Sequence, residues 1–251
     1  VGAPQVYRGI RPLYIRWNSY GRLSHDIGLH LNWTVESGPF AGLKYLRGGV
    51  GPHFTPKLIG SYEQELHLPV EQSIEMNPAL VINIGSAEGY YVVGMARRLP
   101  EARVIGFEMQ ANLRQACTRM AEMNGVQDRL TVRGECTTEK LRLALSRTEG
   151  LPLVISDCEG EEKRLLDPAA VPALAQSTML VELHDFLVAG VTEDLLDRFQ
   201  KTHHLRIVQM AQRRAAEWPV LTHFSAAQAV QALDEGRPCE QTWLWMTPRF
   251  R

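Results

Sequence analysis

The 251-residue chain balances 27 Lys and Arg against 28 Asp and Glu, for a formal net charge of −1, and is 45% hydrophobic. That composition suits a globular chain with a full core, and the near-neutral charge argues against wholesale electrostatic capture of nucleic acid. No apolar run nears the roughly 18–20 residues that span a bilayer, and four cysteines without a C-x-x-C pair read as reduced thiols, so a cytoplasmic location is expected.

Residues 1–24 interleave Arg8, Arg11, Arg16 and Arg22 with Tyr7, Tyr14, Trp17 and Tyr20, and hold no acid. The stretch lacks the apolar centre of a secretory signal. Rings alternating with arginines can stack on bases or sugars or lie on a membrane surface. The plainer reading is an arm packed on the body or on a second copy, which would make the chain a homo-oligomer. His30–Glu36 and Leu43–Leu46 then read as strands around the turn Ser37-Gly38-Pro39. Residues 1–56 are therefore expected to form an arm and a small β cap, and 57–251 the main domain. Ser61–Met76 is largely helical, with Pro69 kinking it or opening a second helix.

From about residue 80 strand and helix alternate. Val81–Ile84 is a short apolar run closed by Gly85, as a strand buried on both faces would be. Val92, Met95, Ala96 and Leu99 then fall on one helical face, stopped by Pro100. Val104–Phe107 reads as the second strand, and Leu113, Ala116, Cys117 and Met120 as a second helical stripe ended at Asn124-Gly125. Leu130–Arg133, Leu153–Ser156 and Thr178–Leu183 follow as strands three to five, with Thr138–Ser146 and Glu161–Leu166 helical between them. Thr192 can cap the next helix, which is expected to end at His203-His204. Leu205–Met210 and Thr242–Met246 close the set around a polar, Ala-rich insertion. Alternation of this kind implies a mostly parallel sheet with helices on both faces, binding ligands beyond the carboxyl ends of its strands.

The sharpest motif is Asn83-Ile84-Gly85-Ser86-Ala87-Glu88-Gly89-Tyr90, a buried strand running through G-x-x-x-G into a helix. Glycines there let backbone approach a ligand where a Cβ would clash. Glu108, at the tip of the second strand, is placed to accept hydrogen bonds from both hydroxyls of a ribose. A nicotinamide dinucleotide site uses the same acid but wants G-x-G-x-x-G around its pyrophosphate. Here Ala87 and Glu88 stand in that turn, and a carboxylate repels pyrophosphate while it tolerates a sulfonium cation.

This segment resembles motif I of class I S-adenosylmethionine (SAM)-dependent methyltransferases, with Asn83 where Asp is commoner. Ile155-Ser156-Asp157-Cys158-Glu159-Gly160-Glu161-Glu162 and Leu180-Val181-Glu182-Leu183-His184-Asp185 are similar to the FkbM-like branch. The resemblance implies a Rossmann-like sheet of seven strands with the last antiparallel, plus a small N-terminal β/α extension. It implies that Gly85, Ser86 and Gly89 line the methionine moiety, that Glu108 holds the ribose and that Glu135-Cys136 border the adenine. Asn83, Ala87, Glu88, Tyr90, Met109 and Asp157 complete the expected cofactor set.

Methyl transfer from a sulfonium is an in-line displacement that needs positioning and removal of the acceptor's proton. Asp157 with Glu159, and Glu182 with His184 and Asp185, lie at neighbouring strand ends. His184 titrates near neutrality and is the expected base, with Asp157 and Asp185 beside it. Alternatively His184 only orients Asp185 or satisfies a buried carbonyl. Asp157 and Asp185 can also hold Mg²⁺, which would lower an acceptor hydroxyl's pKa. Ser156-Asp157-Cys158-Glu159 is not the Asn/Asp-Pro-Pro-Tyr/Phe of nucleobase methyltransferases, so the expected acceptor is a hydroxyl or carboxylate on a small molecule or glycan, not nucleic acid. Two other classes stay open: a nicotinamide oxidoreductase and a catalytically silent partner subunit that keeps the fold.

Overall fold

The computed structural model describes residues 21–47, 53–146, 148 and 150–249. The Arg- and aromatic-rich segment 1–20, with the homo-oligomer expectation attached to it, lies outside the described residues. By contacts the chain divides into two compact units, 65–211 with 239–251, and 1–64 with 212–238. The stretch 212–238 groups with the N-terminal part.

In the larger unit, sheet formation follows from runs that are apolar on both faces. β1 (Leu80–Ile84), β4 (Pro152–Ser156) and β5 (Thr178–Glu182) are buried at all five positions. Each fully buried aliphatic side chain contributes roughly 1.5–3 kcal/mol. β2 (Arg103–Phe107) and β3 (Leu130–Arg133) extend the sheet to one side, β6 (His203–Gln209) and β7 (Thr242–Pro248) to the other. The strand order is β3-β2-β1-β4-β5-β7-β6, with β7 antiparallel to both of its neighbours and the remaining pairings parallel.

Strand alternation sends Leu80, Ile82 and Ile84 into a core shared with α6 (Thr138–Leu145), α7 (Glu162–Leu165) and α8 (Val191–Phe199). Val81 and Asn83 point to the opposite face, where α4 (Tyr90–Arg98) packs on β1 and β2 and α5 (Ala111–Met123) on β3. The expected seven-stranded sheet with helices on both faces is the fold observed.

His203 corrects the reading of His203-His204 as a helix end. It opens β6 fully buried, Nε2 donating to the Ser177 carbonyl at 2.9 Å and Nδ1 accepting from Thr202 Oγ1 at 2.8 Å. Burial holds its pKa below the ordinary histidine value.

In the smaller unit, residues 21–30 form helix α1, and among the described residues the pairing at the expected β cap is one bridge, Thr34 to Lys44. Asn32 and Trp33 take left-handed φ of 48° and 55°, which no extended strand over 30–36 could absorb. Leu23 and Ile27 of α1 bury against Ile59 of α2 (Phe54–Ile59), Trp218, and Ala229 and Leu233 of α9 (Ala226–Leu233). Ion pairs brace the inserted stretch within itself and tie it to Glu63. Arg213 Nη2 lies 2.5 Å from Glu235 Oε1, Arg237 Nε lies 2.9 Å from Glu235 Oε2, and Arg237 also pairs with Glu63. Among the described residues, no helix is long and apolar enough to cross a membrane.

Candidate active site

The order of the sheet reverses between β1 and β4, and the site lies beyond the carboxyl ends of these strands. After β1 the chain turns sharply: Gly85 N and Ser86 N both donate to the Phe107 carbonyl at 2.9 Å, and Ala87 N donates to Glu108 Oε2 at 3.0 Å. Glu108 also accepts from Gln110 N at 2.7 Å through Oε1, so one carboxylate sews the β1 turn to the β2 turn. Ala87 pays for the turn with a φ of 45°, unusual for a residue with a Cβ.

Gly85 (φ +78°) is required by the chain itself. A Cβ there would stand 1.7 Å from the Asp157 carbonyl oxygen. The glycine therefore serves the approach of the β1 turn to the β4 turn, not only that of a ligand. Gly89 (φ +112°) opens α4, and its Cβ would crowd Cys117 Sγ and Val93 Cγ2 at 3.0 Å.

A cavity of about 620 Å³ opens over these turns, within the roughly 300–1,000 Å³ usual for small-molecule sites. Of the expected cofactor residues, Gly85, Ala87, Glu108, Met109, Glu135, Cys136 and Asp157 line it. Asn83, Ser86, Glu88, Gly89 and Tyr90 do not. Asn83 and Ser86 are buried, and Asn83 Oδ1 and Ser86 Oγ have no hydrogen-bond partner among the described residues. Tyr90 is buried edge-on against Tyr91. The remaining walls are apolar at Ile84, Phe107, Leu113 and Leu165, and acidic at Glu159 and Glu161, with Arg164 the one basic side chain of the lining. Apolar walls with several carboxylates suit a nucleoside carrying a sulfonium and an ammonium group, and oppose a pyrophosphate. The residues present thus fit SAM.

Burial disfavours the thiolate form of both cavity cysteines. Burial pushes Cys136 up to about 12, and burial with the nearby Glu162 charge pushes Cys158 higher still.

Asp157 joins the cavity to a second group of side chains. Its Oδ1 lies 3.5 Å from His184 Nε2, with Glu159 Oε2 at 3.8 Å from the same nitrogen. On the other side of the ring, Nδ1 is 2.9 Å from Glu162 Oε1. Glu162 sits in the first turn of α7 with its side chain wholly buried, and Oε1 also accepts from Cys158 N at 3.0 Å and Cys158 Sγ at 3.3 Å. Burial alone would lower the His184 pKa. The hydrogen bond to Glu162 and the charges of Glu162, Asp157 and Glu159 outweigh it and raise the pKa above the ordinary histidine value. Burial likewise works against the Glu162 carboxylate, yet the bond to His184, its charge and the Cys158 N–H bring that pKa below the usual range.

Asp185 does not join this group. Its carboxylate accepts from Thr192 N at 3.2 Å and pairs with Thr192 Oγ1. β5 ends at Glu182, and Asp185 lies in the turn beyond it, where its carboxylate meets Thr192 and not His184. Thr192 is therefore a donor to Asp185, and the cap of α8 is Gly190. The expected Asp157–Asp185 metal pair is corrected accordingly. Ligand atoms of Asp157, Glu182 and His184 lie within 4.8 Å of one another, which is the set that geometry would offer a cation. Glu162 is the residue that sequence reasoning missed. Its only signal was an acid in the first turn of a short helix, which ordinarily reads as a solvated dipole partner.

No family model and no curated protein matches the sequence. Among solved structures, an rRNA methylase from Streptococcus thermophilus superposes with a TM-score of 0.50 at 9% identity, over 74% of this chain and 97% of that one. An O-methyltransferase from Bacillus cereus in complex with SAH gives 0.49 at 14% identity, over 91% of each chain. The O-methyltransferase TomG from Streptomyces achromogenes, involved in tomaymycin synthesis and bound to SAM, gives 0.45 at 14%, over 75% of this chain and 89% of that one. At such identities the likeness concerns the fold. The FkbM-like expectation, drawn from residues 155–162 and 180–185, is corrected: the chain has the Rossmann-like fold of class I SAM-dependent methyltransferases at large and not that of the FkbM-like branch.

Proposed function

We propose that the chain transfers a methyl group from SAM to a hydroxyl on a neutral small molecule or glycan. The observation that carries this reading is Asp157, which lines the cavity and also stands 3.5 Å from the imidazole of His184. A cofactor pocket and a proton acceptor thereby share a wall. When bound, SAM supplies an electrophilic methyl on a sulfonium. Glu108, at the tip of β2, would accept the ribose hydroxyls, and Glu135 and Cys136 would border the base. His184 would take the acceptor's proton.

Charge narrows the acceptor. Asp157, Glu159, Glu162 and Glu182 all stand at or near His184. They repel an anionic acceptor, and a carboxylate needs no base in any case. A neutral hydroxyl gains from both. The same acidity works against a nicotinamide dinucleotide.

The test is binding followed by turnover. Calorimetry should register SAM and not NAD. On a hydroxyl acceptor found with radiolabelled methyl, His184→Ala should lower kcat by about 10²–10⁴-fold, the span of general-base catalysis, and leave SAM affinity unchanged. Chelator should leave the rate intact. Inhibition by chelator with restoration by Mg²⁺ would transfer the activation to a cation, and wild-type protein that ignores SAM would overturn the reading.

A further inference from the structure

We propose that Glu162 is the positioning residue of His184, locking the imidazole as its Nδ1–H tautomer so that Nε2 is the atom presented to the acceptor. This rests on the reading of the site as a methyl-transfer centre and goes beyond it, because it assigns which nitrogen works and what holds it.

A wholly buried carboxylate costs several kcal/mol unless its environment uses it. Here Oε1 collects three partners: Cys158 N at 3.0 Å, Cys158 Sγ at 3.3 Å and His184 Nδ1 at 2.9 Å. The Cys158 N–H can only donate, and an ionised carboxylate can only accept. The nitrogen facing Oε1 must therefore carry a proton. Nε2 is the exchangeable position, because the carboxylate oxygens it faces, Asp157 Oδ1 at 3.5 Å and Glu159 Oε2 at 3.8 Å, stand farther off than the 2.9 Å between Nδ1 and Glu162 Oε1.

The mount is held from two sides. The Cys158 donors anchor the Glu162 carboxylate to the turn after β4. The His184 carbonyl accepts from Leu187 N and Val188 N, both at 2.9 Å, and its ring leans on Phe186 at 5.6 Å between centroids. One buried oxygen thus couples the β4 turn to the β5 turn and aims the ring at the cavity wall. The groups facing the ring are Glu162, Asp157, Glu159 and Glu182, with the Cys158 thiol behind Glu162.

The chemistry balances. The acceptor O–H bond breaks, its proton goes to Nε2, and the oxygen takes the methyl as the carbon–sulfur bond breaks. The positive charge lost from sulfur reappears on the imidazolium, and Glu162 stabilises it there. Replacing such a carboxylate by its amide leaves the shape and removes the preference for one tautomer.

The experiment is ¹⁵N NMR of the histidines in the chelator-treated protein without acceptor, His184 assigned by its absence in His184→Ala. At alkaline pH the wild type should show Nδ1 protonated and Nε2 bare. Glu162→Gln should admit the Nε2–H form and move the titration midpoint down. On a hydroxyl acceptor that variant should lose about 10²-fold or more in kcat, its rate limb shifted the same way, with SAM affinity unchanged. An Nε2–H tautomer in the wild type overturns the proposal, and so does a Glu162→Gln protein with the wild-type tautomer and midpoint. Should the variant fail to fold, the wild-type tautomer still decides. If the tautomer is as stated while His184→Ala transfers methyl at the full rate, the methyl-transfer reading fails and Glu162's hold on the ring stands.

Discussion

Gly85→Ala tests the tightest contact of the site. The residue adopts φ +78°, where an L side chain costs about 1–2 kcal/mol. Its new Cβ would sit 1.7 Å from the Asp157 carbonyl oxygen, a backbone atom that cannot swing aside. Relief requires the β1 and β4 turns to part, which strains packing by about 1–3 kcal/mol. It also stretches the Asp157 N to Ile84 O hydrogen bond of 3.0 Å, which is worth about 1 kcal/mol. Together these amount to about 3–6 kcal/mol, a large part of the roughly 5–15 kcal/mol that stabilises a domain. Urea unfolding followed by tryptophan fluorescence reads it directly, since buried Trp243 lies in β7 of the same sheet. Gly134→Ala is the control: nothing lies within 4 Å of its added Cβ, so its stability should stay within about 0.5 kcal/mol of wild type. A Gly85→Ala midpoint equal to that of the control would refute the assignment of this glycine to the contact between turns.

Glu108→Ala should weaken SAM binding by about 1.5–3 kcal/mol, read by calorimetry, because hydrogen bonds to a charged group are lost; unchanged affinity would move the ribose elsewhere. The Glu162–His184 pair predicts a pH window of stability. Glu162, with its pKa lowered from 4.5, contributes fully above that value and loses the contribution as pH falls through its folded pKa. His184, raised from 6.5, contributes fully below that value and loses it as pH rises through its folded pKa. The pair should therefore stabilise most between about 4.5 and 6.5, and Glu162→Gln should flatten that part of the profile in urea titrations across pH. In the smaller unit, Glu235→Ala removes the carboxylate paired with the largely buried Arg213 and one of the two paired with Arg237, and should cost about 3–5 kcal/mol by thermal or urea unfolding.

Strands β1, β4 and β5 are legible to within about a residue because a strand buried on both faces is a nearly continuous apolar run, and that is a local property of sequence. The turn after β1 and the acid ending β2 are legible from the spacing of Gly85 and Gly89 and from the place of Glu108 at a strand end, although the group that demands Gly85, the Asp157 carbonyl, is distant in sequence. What only the tertiary structure decided is which side chains share a partner. Glu162 reaches His184 across 22 positions, and nothing near either residue announces the other. Asp185 turned to Thr192, because the chain has already left β5 and entered a turn at that residue. Residues 212–238 joined the N-terminal unit through Glu235, whose partner Arg237 is near it in sequence but whose partner Arg213 lies 22 positions away and whose amide donor, Glu63 N, lies 172 positions away. Hydrophobic periodicity reports how much of a residue is buried, and the sequence alone carries that. The partner of a buried charge depends on where distant segments end in space, and that exists only once the chain has folded.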